Sequence, residues 1–179
     1  MDPALGILLA SAFALLFAHA AWHKWRELPR FAATLAAYRL LPRSLGAAGG
    51  YLVPLAESAV AMLLLVPAAR PAAALLGVGL LLAYAFAIAV NLRRGRRDLD
   101  CGCTGPLDRR PIAAWMVWRN ALLAIVLAAV AQPWSPRPIG GIDAVTILAG
   151  LVALVLVYAT VDRLVGQIMP RTAALRRGL

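Results

Sequence analysis

The chain predicts an all-α, polytopic membrane bundle, and three observations carry that prediction. Of its 179 residues, 63% are hydrophobic, whereas soluble domains sit nearer half, and the mean hydropathy is +0.80. The apolar residues are gathered into five runs, near 4–21, 50–69, 72–92, 112–131 and 142–165, each close to the ~20 residues a helix needs to cross a bilayer. Lys and Arg alternate from one connection to the next, as they do where topology is set by charge. No soluble domain of useful size remains between the runs, so residues 1–179 read as a single membrane domain.

The first run follows Met1-Asp2-Pro3, which has no basic n-region. Ala18-His19-Ala20 imitates a cleavage site but has the wrong flanks, so the run is expected to be a retained helix. Residues 30–42 are too short and too polar to span. Phe31, Leu35 and Tyr38 recur at helical spacing, with Arg30, Thr34 and Arg39 off that stripe. The segment predicts an amphipathic interfacial helix that joins the first two spans or lies as a lid over the loop at 93–111. Pro67 and Pro71 frame a tight turn, and Pro71 suits the first turn of the next helix. Residues 93–111 form a basic loop. Pro133, Pro136, Pro138 and Gly140-Gly141 predict an irregular connection before the last run, which has few polar residues ahead of Asp162 and reads as peripheral.

The connection after the first run carries Lys24, Arg26, Arg30, Arg39 and Arg43, and the next carries only Arg70. The third carries Arg93, Arg94, Arg96, Arg97, Arg109 and Arg110, the fourth only Arg137, and the tail Arg171, Arg176 and Arg177. The bias predicts an inner-membrane protein with its N-terminus outside and its C-terminus and basic loop in the cytoplasm. Trp22, Trp25, Trp115 and Trp118 fall near the inner interface and Trp134 near the outer. The net charge of +10 is explained by this placement, and no nucleic-acid partner is expected.

Polar groups at membrane depth mark function or pairing. Glu57 in the second run and Arg119 in the fourth, beside Asn120, both lie roughly 10 Å from the inner end, which makes a Glu57–Arg119 pair the first expectation and Lys24 a rival partner for Glu57. Such a pair can do no more than set helix register, or it can relay protons beneath the loop. Asn91 ends the third run, where it can cap backbone groups. His19 and His23 are one helical turn apart on one face, a spacing that can hold a metal and equally suits two interfacial histidines.

Cys101 and Cys103 bracket Gly102 in the basic loop and are the chain's two cysteines. A vicinal pair in a polar segment is poorly explained as packing. A disulfide across one residue is strained and easily reduced, the property of an exchanging bond, and a permanent one is unexpected in a reducing cytoplasm. The flanking arginines favour thiolate, while Asp98, Asp100 and Asp108 oppose them. Two readings stay open: a pair cycling between dithiol and disulfide, or a site for a soft metal such as Cu(I), Hg(II) or Zn(II) that also uses His19 and His23.

The stretch Asn91-Leu-Arg-Arg-Gly-Arg-Arg-Asp-Leu-Asp-Cys-Gly-Cys-Thr-Gly105 resembles the signature of the methylamine-utilisation MauE family of bacterial membrane proteins. Lys24, Phe31, Tyr38-Arg39-Leu40-Leu41-Pro42, Glu57, Trp115 and Arg119-Asn120 agree with it too, so the likeness covers nearly the whole chain. His19 and His23 depart from it, small residues being usual there. The resemblance implies a DoxX-like four-helix bundle with a fifth transmembrane helix added. It implies a thioredoxin-like partner and a part in maturing the disulfide-rich small subunit of methylamine dehydrogenase outside the cytoplasm. That role wants outward-facing thiols, whereas the arginines place these inside. One reconciliation is a carrier that moves into the bundle, or one that hands electrons to a quinone. The expectation is a membrane thiol–disulfide oxidoreductase in which Cys101 and Cys103 exchange and Asp100, Glu57, Asn91, Arg119, Asn120 and Lys24 support them.

Overall fold

The computed structural model describes residues 1–40, 43–99, 111–135 and 137–175, and within them the side chains outside 43–47 and 166–175. Among the described residues every regular element is a helix: α1 (Pro3–Arg26), α2 (Leu28–Tyr38), α3 (Arg43–Leu63), α4 (Arg70–Arg93), α5 (Ala114–Val130) and α6 (Gly141–Leu175). Pro3–Arg26, Arg70–Arg93 and Gly141–Val165 are long and apolar enough to cross a membrane, and Ala48–Leu63 and Ala114–Val130 are shorter apolar helices. The chain is a polytopic helical membrane protein.

Helices α1, α3, α4 and α5 pack around one core. Ala10, Phe13, Ala14, Phe17, Ala21 and Lys24 form the buried stripe of α1 at helical spacing. Phe13 and Phe17 share the core with Val60 of α3 and Leu64 just past its end, Ala73, Ala74 and Leu81 of α4, and Ala124, Leu127 and Val130 of α5. Small residues let the backbones close in, as they must where lipid gives no hydrophobic drive between helices. At Gly77 the approach is close, since a Cβ there would lie 2.7 Å from Leu127.

Helix α3 stops at Leu63, short of the expected end at 69. The backbone tightens into three-residue turns, with Leu65 N donating to Met62 O and Val66 N to Leu63 O, because Pro67 disfavours helical geometry at Val66. Arg70 Nε then donates to Leu64 O at 3.1 Å. In the opposite sense, α6 runs on past 165 to Leu175. It stands outside the four-helix core, and none of its most apolar window is buried, so the fifth long span is peripheral as its sequence suggests. Leu8 of α1 lies against Gly150, and Arg119 of α5 holds Asp162 at 2.6 Å.

The proline-rich connection at the Met1 end is strapped down. The Met1 amine donates to Pro133 O at 2.9 Å, and Ser135 N donates to Met1 O at 2.9 Å. Arg137 binds both Asp2, at 2.7 Å, and Asp143, at 2.8 Å. The Trp134 ring carries Arg70 on its face at 3.9 Å and abuts Gly6, where a Cβ would come within 2.5 Å of it.

At the other end, the basic end that carries most of the arginines, α2 folds back over α3 and α4. Ala32 lies against Gly50, within 3.2 Å of where a Cβ would stand. Tyr38 is buried with Ile88, Ile112 and Met116 in a second small core that Leu99 and Trp115 border. Arg39 closes α2 in the left-handed region, at φ 50°, a conformation usually left to Gly or Asn at a helix C-terminus.

Candidate functional site

The chain's chemistry gathers at the basic end and just inside it. The amine of Lys24 donates to Glu57 Oε1 at 2.6 Å, with 3% and 0% of the two side chains exposed. The Tyr84 hydroxyl donates to the same oxygen at 2.7 Å. Lys24 also stands 5.3 Å from the ring centre of Phe31, brought in by α2, and 5.5 Å from that of Tyr84. Four helices thus converge on one carboxylate. Each partner serves a need: a buried charge in hydrocarbon is tolerable only when matched and hydrogen-bonded.

This arrangement corrects the first pairing expected for Glu57. Its partner is Lys24, and Arg119 faces the other way. Residue count gives position along a helix, but azimuth decides contact. Consecutive residues on a helix point about 100° apart, so Asn120 enters the core, 3% exposed, while Arg119 turns to α6. There it binds Asp162 and lies 5.0 Å from the ring centre of Trp115. Lys24, counted among the charges that set topology, is a core residue.

Asn91 is fully buried and acts as a clamp rather than a simple cap. Its Nδ2 donates to Tyr38 O at 3.2 Å and Ala87 O at 3.1 Å, and its Oδ1 accepts from Arg96 at 3.2 Å. Arg94 donates to Arg39 O at 3.4 Å. Together these bonds lock the end of α2 onto the end of α4. Beyond them Ile112 N donates to Leu99 O at 3.0 Å, which closes the base of the segment that carries Asp100, Cys101 and Cys103. Those three residues lie outside the described ones.

His19 and His23 meet edge to face, with ring centres 4.5 Å apart. His19 is exposed, on the side of α1 away from the core stripe, so the pair does not join Lys24 and Glu57. Among the described residues no group of three or more His, Cys, Asp or Glu side chains could hold a metal ion. The two imidazoles would need further ligands from outside that set.

Sequence reasoning passed over Tyr84 and Ser58. Tyr84 had a signal, since Gly77, Tyr84 and Asn91 recur every seventh residue along α4 and so share a face. Ser58 accepts the Trp25 indole N–H at 3.1 Å and donates to Pro54 O at 2.8 Å, tying α1 to α3 beside the ion pair. Glu57 Oε2 and Asn120 Nδ2 are among the buried polar atoms that have no hydrogen-bond partner among the described residues.

Comparison with known proteins bears on the whole chain. The family model described as methylamine utilisation protein MauE matches residues 2–133, which contain α1 to α5 and leave out α6. The chain is 38% identical over 169 residues to the methylamine utilization protein MauE of Methylophilus methylotrophus, covering 92% of this chain and 88% of that one. It is 40% identical over 160 residues to the protein of that name in Paracoccus versutus, covering 88% and 86%. With the one in Paracoccus denitrificans it shares 33% identity over 162 residues, covering 89% and 87%. No solved structure matches the chain.

Proposed function

Given that the chain belongs to the MauE family of methylamine utilisation proteins, we propose that it is a membrane thiol–disulfide redox protein, with Cys101 and Cys103 as the exchanging pair. Its partner is a thioredoxin-like protein, and its pathway role is the maturation of proteins used in methylamine utilisation, the process for which its relatives are named. In each turnover one thiolate attacks a disulfide sulfur to give a mixed disulfide, and the second thiol resolves it. Two electrons and two protons leave one dithiol, and the other disulfide gains them.

The observation that carries this reading is the anchored pair of residues, Leu99 and Ile112, between which the segment with both cysteines runs. Leu99 and Ile112 are bonded to each other, and Asn91 and Arg96 fasten the same corner to α2 and α4. A reactive pair benefits from being held on rigid elements, and the bundle spends a fully buried asparagine on this corner. Arg93, Arg94, Arg96 and Arg97 supply positive charge that favours thiolate. By the positive-inside rule this end faces the cytoplasm and five helices cross the inner membrane. Asp100 neighbours the pair in sequence, and Lys24, Glu57 and Asn120 form a polar layer inside the basic end of the bundle.

Replacing one cysteine at a time tests the proposal. One of Cys101→Ser and Cys103→Ser should accumulate a covalent, reductant-sensitive adduct that mass spectrometry identifies as a thioredoxin-like protein. A double variant that supports growth on methylamine as well as the parent, with no adduct from either single variant, defeats it. Membrane-impermeant thiol alkylation from each side reads the orientation, and labelling from the outside alone reverses it.

A further inference from the structure

The polar layer inside the basic end is incomplete as a hydrogen-bonded set. Gly77 marks a level shared by four helices, because a Cβ there would meet Leu127 at 2.7 Å, Phe17 at 3.1 Å and Val60 at 3.2 Å. Seven residues nearer the basic end, about 10 Å along each axis, α1, α4 and α5 carry Lys24, Tyr84 and Asn120. Seven residues bring a helix back to nearly the same face. Glu57 lies three residues before Val60 on α3, and its side chain leans toward the N-terminus of its helix, hence toward the same layer. Lys24, Glu57, Tyr84 and Asn120 therefore share one level of the interior.

Within that level the bonding is lopsided. Glu57 Oε1 accepts from both Lys24 and Tyr84, while Oε2, fully buried, accepts from no described group. Asn120 Nδ2 has two N–H bonds to give and is 3% exposed, and no described group accepts them. An acceptor and a donor, both unmet, lie on α3 and α5, a diagonal pair of the four-helix core, in an apolar surround. Leaving either unmet in hydrocarbon is costly.

We propose that this layer binds one water molecule, which donates to Glu57 Oε2 and accepts from Asn120 Nδ2. Water is the species that suits the site. It both donates and accepts, and it is small enough for a layer closed above by Phe17, Val60 and Leu127. Buried waters characteristically bind two to four otherwise unsatisfied polar groups. A water on Oε2 satisfies the second carboxylate oxygen while leaving the Lys24 and Tyr84 hydrogen bonds to Oε1 in place. None of this depends on the thiol chemistry proposed above.

X-ray radiolytic footprinting of the full-length protein in lipid nanodiscs reads the site directly, since radicals born from a bound water oxidise the side chains beside it. Tyr84 should be oxidised several-fold faster than Phe86, which lies on the same helix and is 66% exposed. Asn120→Leu should bring Tyr84 down to the Phe86 rate, and Asn120→Ser, which keeps a donor, should retain most of the oxidation. Equal rates for Tyr84 and Phe86 in the parent protein overturn the proposal whether or not the variants fold. So does a Tyr84 rate that Asn120→Leu leaves unchanged.

Discussion

Glu57→Gln isolates the charge of the buried pair while keeping the shape. Lys24 would keep its position and a hydrogen-bond acceptor but lose its counter-charge, in a layer where the two side chains are 3% and 0% exposed. Removing one member of such a pair costs about 3–5 kcal/mol, because the other charge is left uncompensated. Tyr84→Phe removes only a neutral donor to a charged acceptor and should cost about 1.5–3 kcal/mol. Replacing both charges, as Lys24→Met with Glu57→Leu, should recover most of the loss, since apolar replacements of buried pairs are often neutral or stabilising. Denaturant unfolding in mixed micelles, run as a double-mutant cycle, measures all three. If Glu57→Gln costs less than about 1 kcal/mol, the value of a screened surface pair, the layer is open to bulk solvent and the argument from a buried charge pair fails.

Glycine substitutions offer a matched contrast. Gly6→Ala drives a Cβ to 2.5 Å from the Trp134 ring and should cost about 1–3 kcal/mol. Gly79→Ala meets nothing within 4 Å and should stabilise by about 0.5–1 kcal/mol, both read from thermal unfolding of the purified protein. Asp162→Asn should loosen α6 from α5, seen as faster amide exchange along α6 with the four-helix core unchanged. The hydrogen bond from Arg137 holds the Asp2 carboxyl below its usual pKa of 3.8. A lowered folded pKa means that this tether contributes fully above pH 3.8 and is lost as the pH falls through the folded value. As the pH falls below 3.8 the parent should therefore lose protection at the Met1 end, and Asp2→Asn should flatten that dependence.

Much of the bundle was legible because hydropathy and helical period report on burial alone. The stripe of Phe31, Leu35 and Tyr38 revealed α2, and Pro71 marked the start of α4. Glu57 announced itself as a charge in an apolar run. What stayed hidden was rotation about each helix axis. A single sequence gives depth from residue count, but Arg119 and Asn120 differ by one position and face opposite worlds. Tyr84 escaped notice because an aromatic ring in an apolar run looks like packing until its hydroxyl is seen to have a partner. The end of α3 differs from the expected one because hydropathy continues smoothly through Leu64–Ala69, whereas backbone geometry does not follow it; the last span, expected at 142–165, agrees with the apolar stretch Gly141–Val165 of a helix that runs on to Leu175.

The bond between Ile112 N and Leu99 O sets a leash. A fully stretched chain gains at most about 3.6 Å per residue, and Cys101 is the second residue after Leu99. Its Cα can therefore wander no more than about 7 Å from that anchor, against a hydrocarbon thickness of about 30 Å. While the knot at Leu99 holds, this sulfur cannot commute between the two leaflets. Any protein that trades electrons with it must come to the side where the knot is tied.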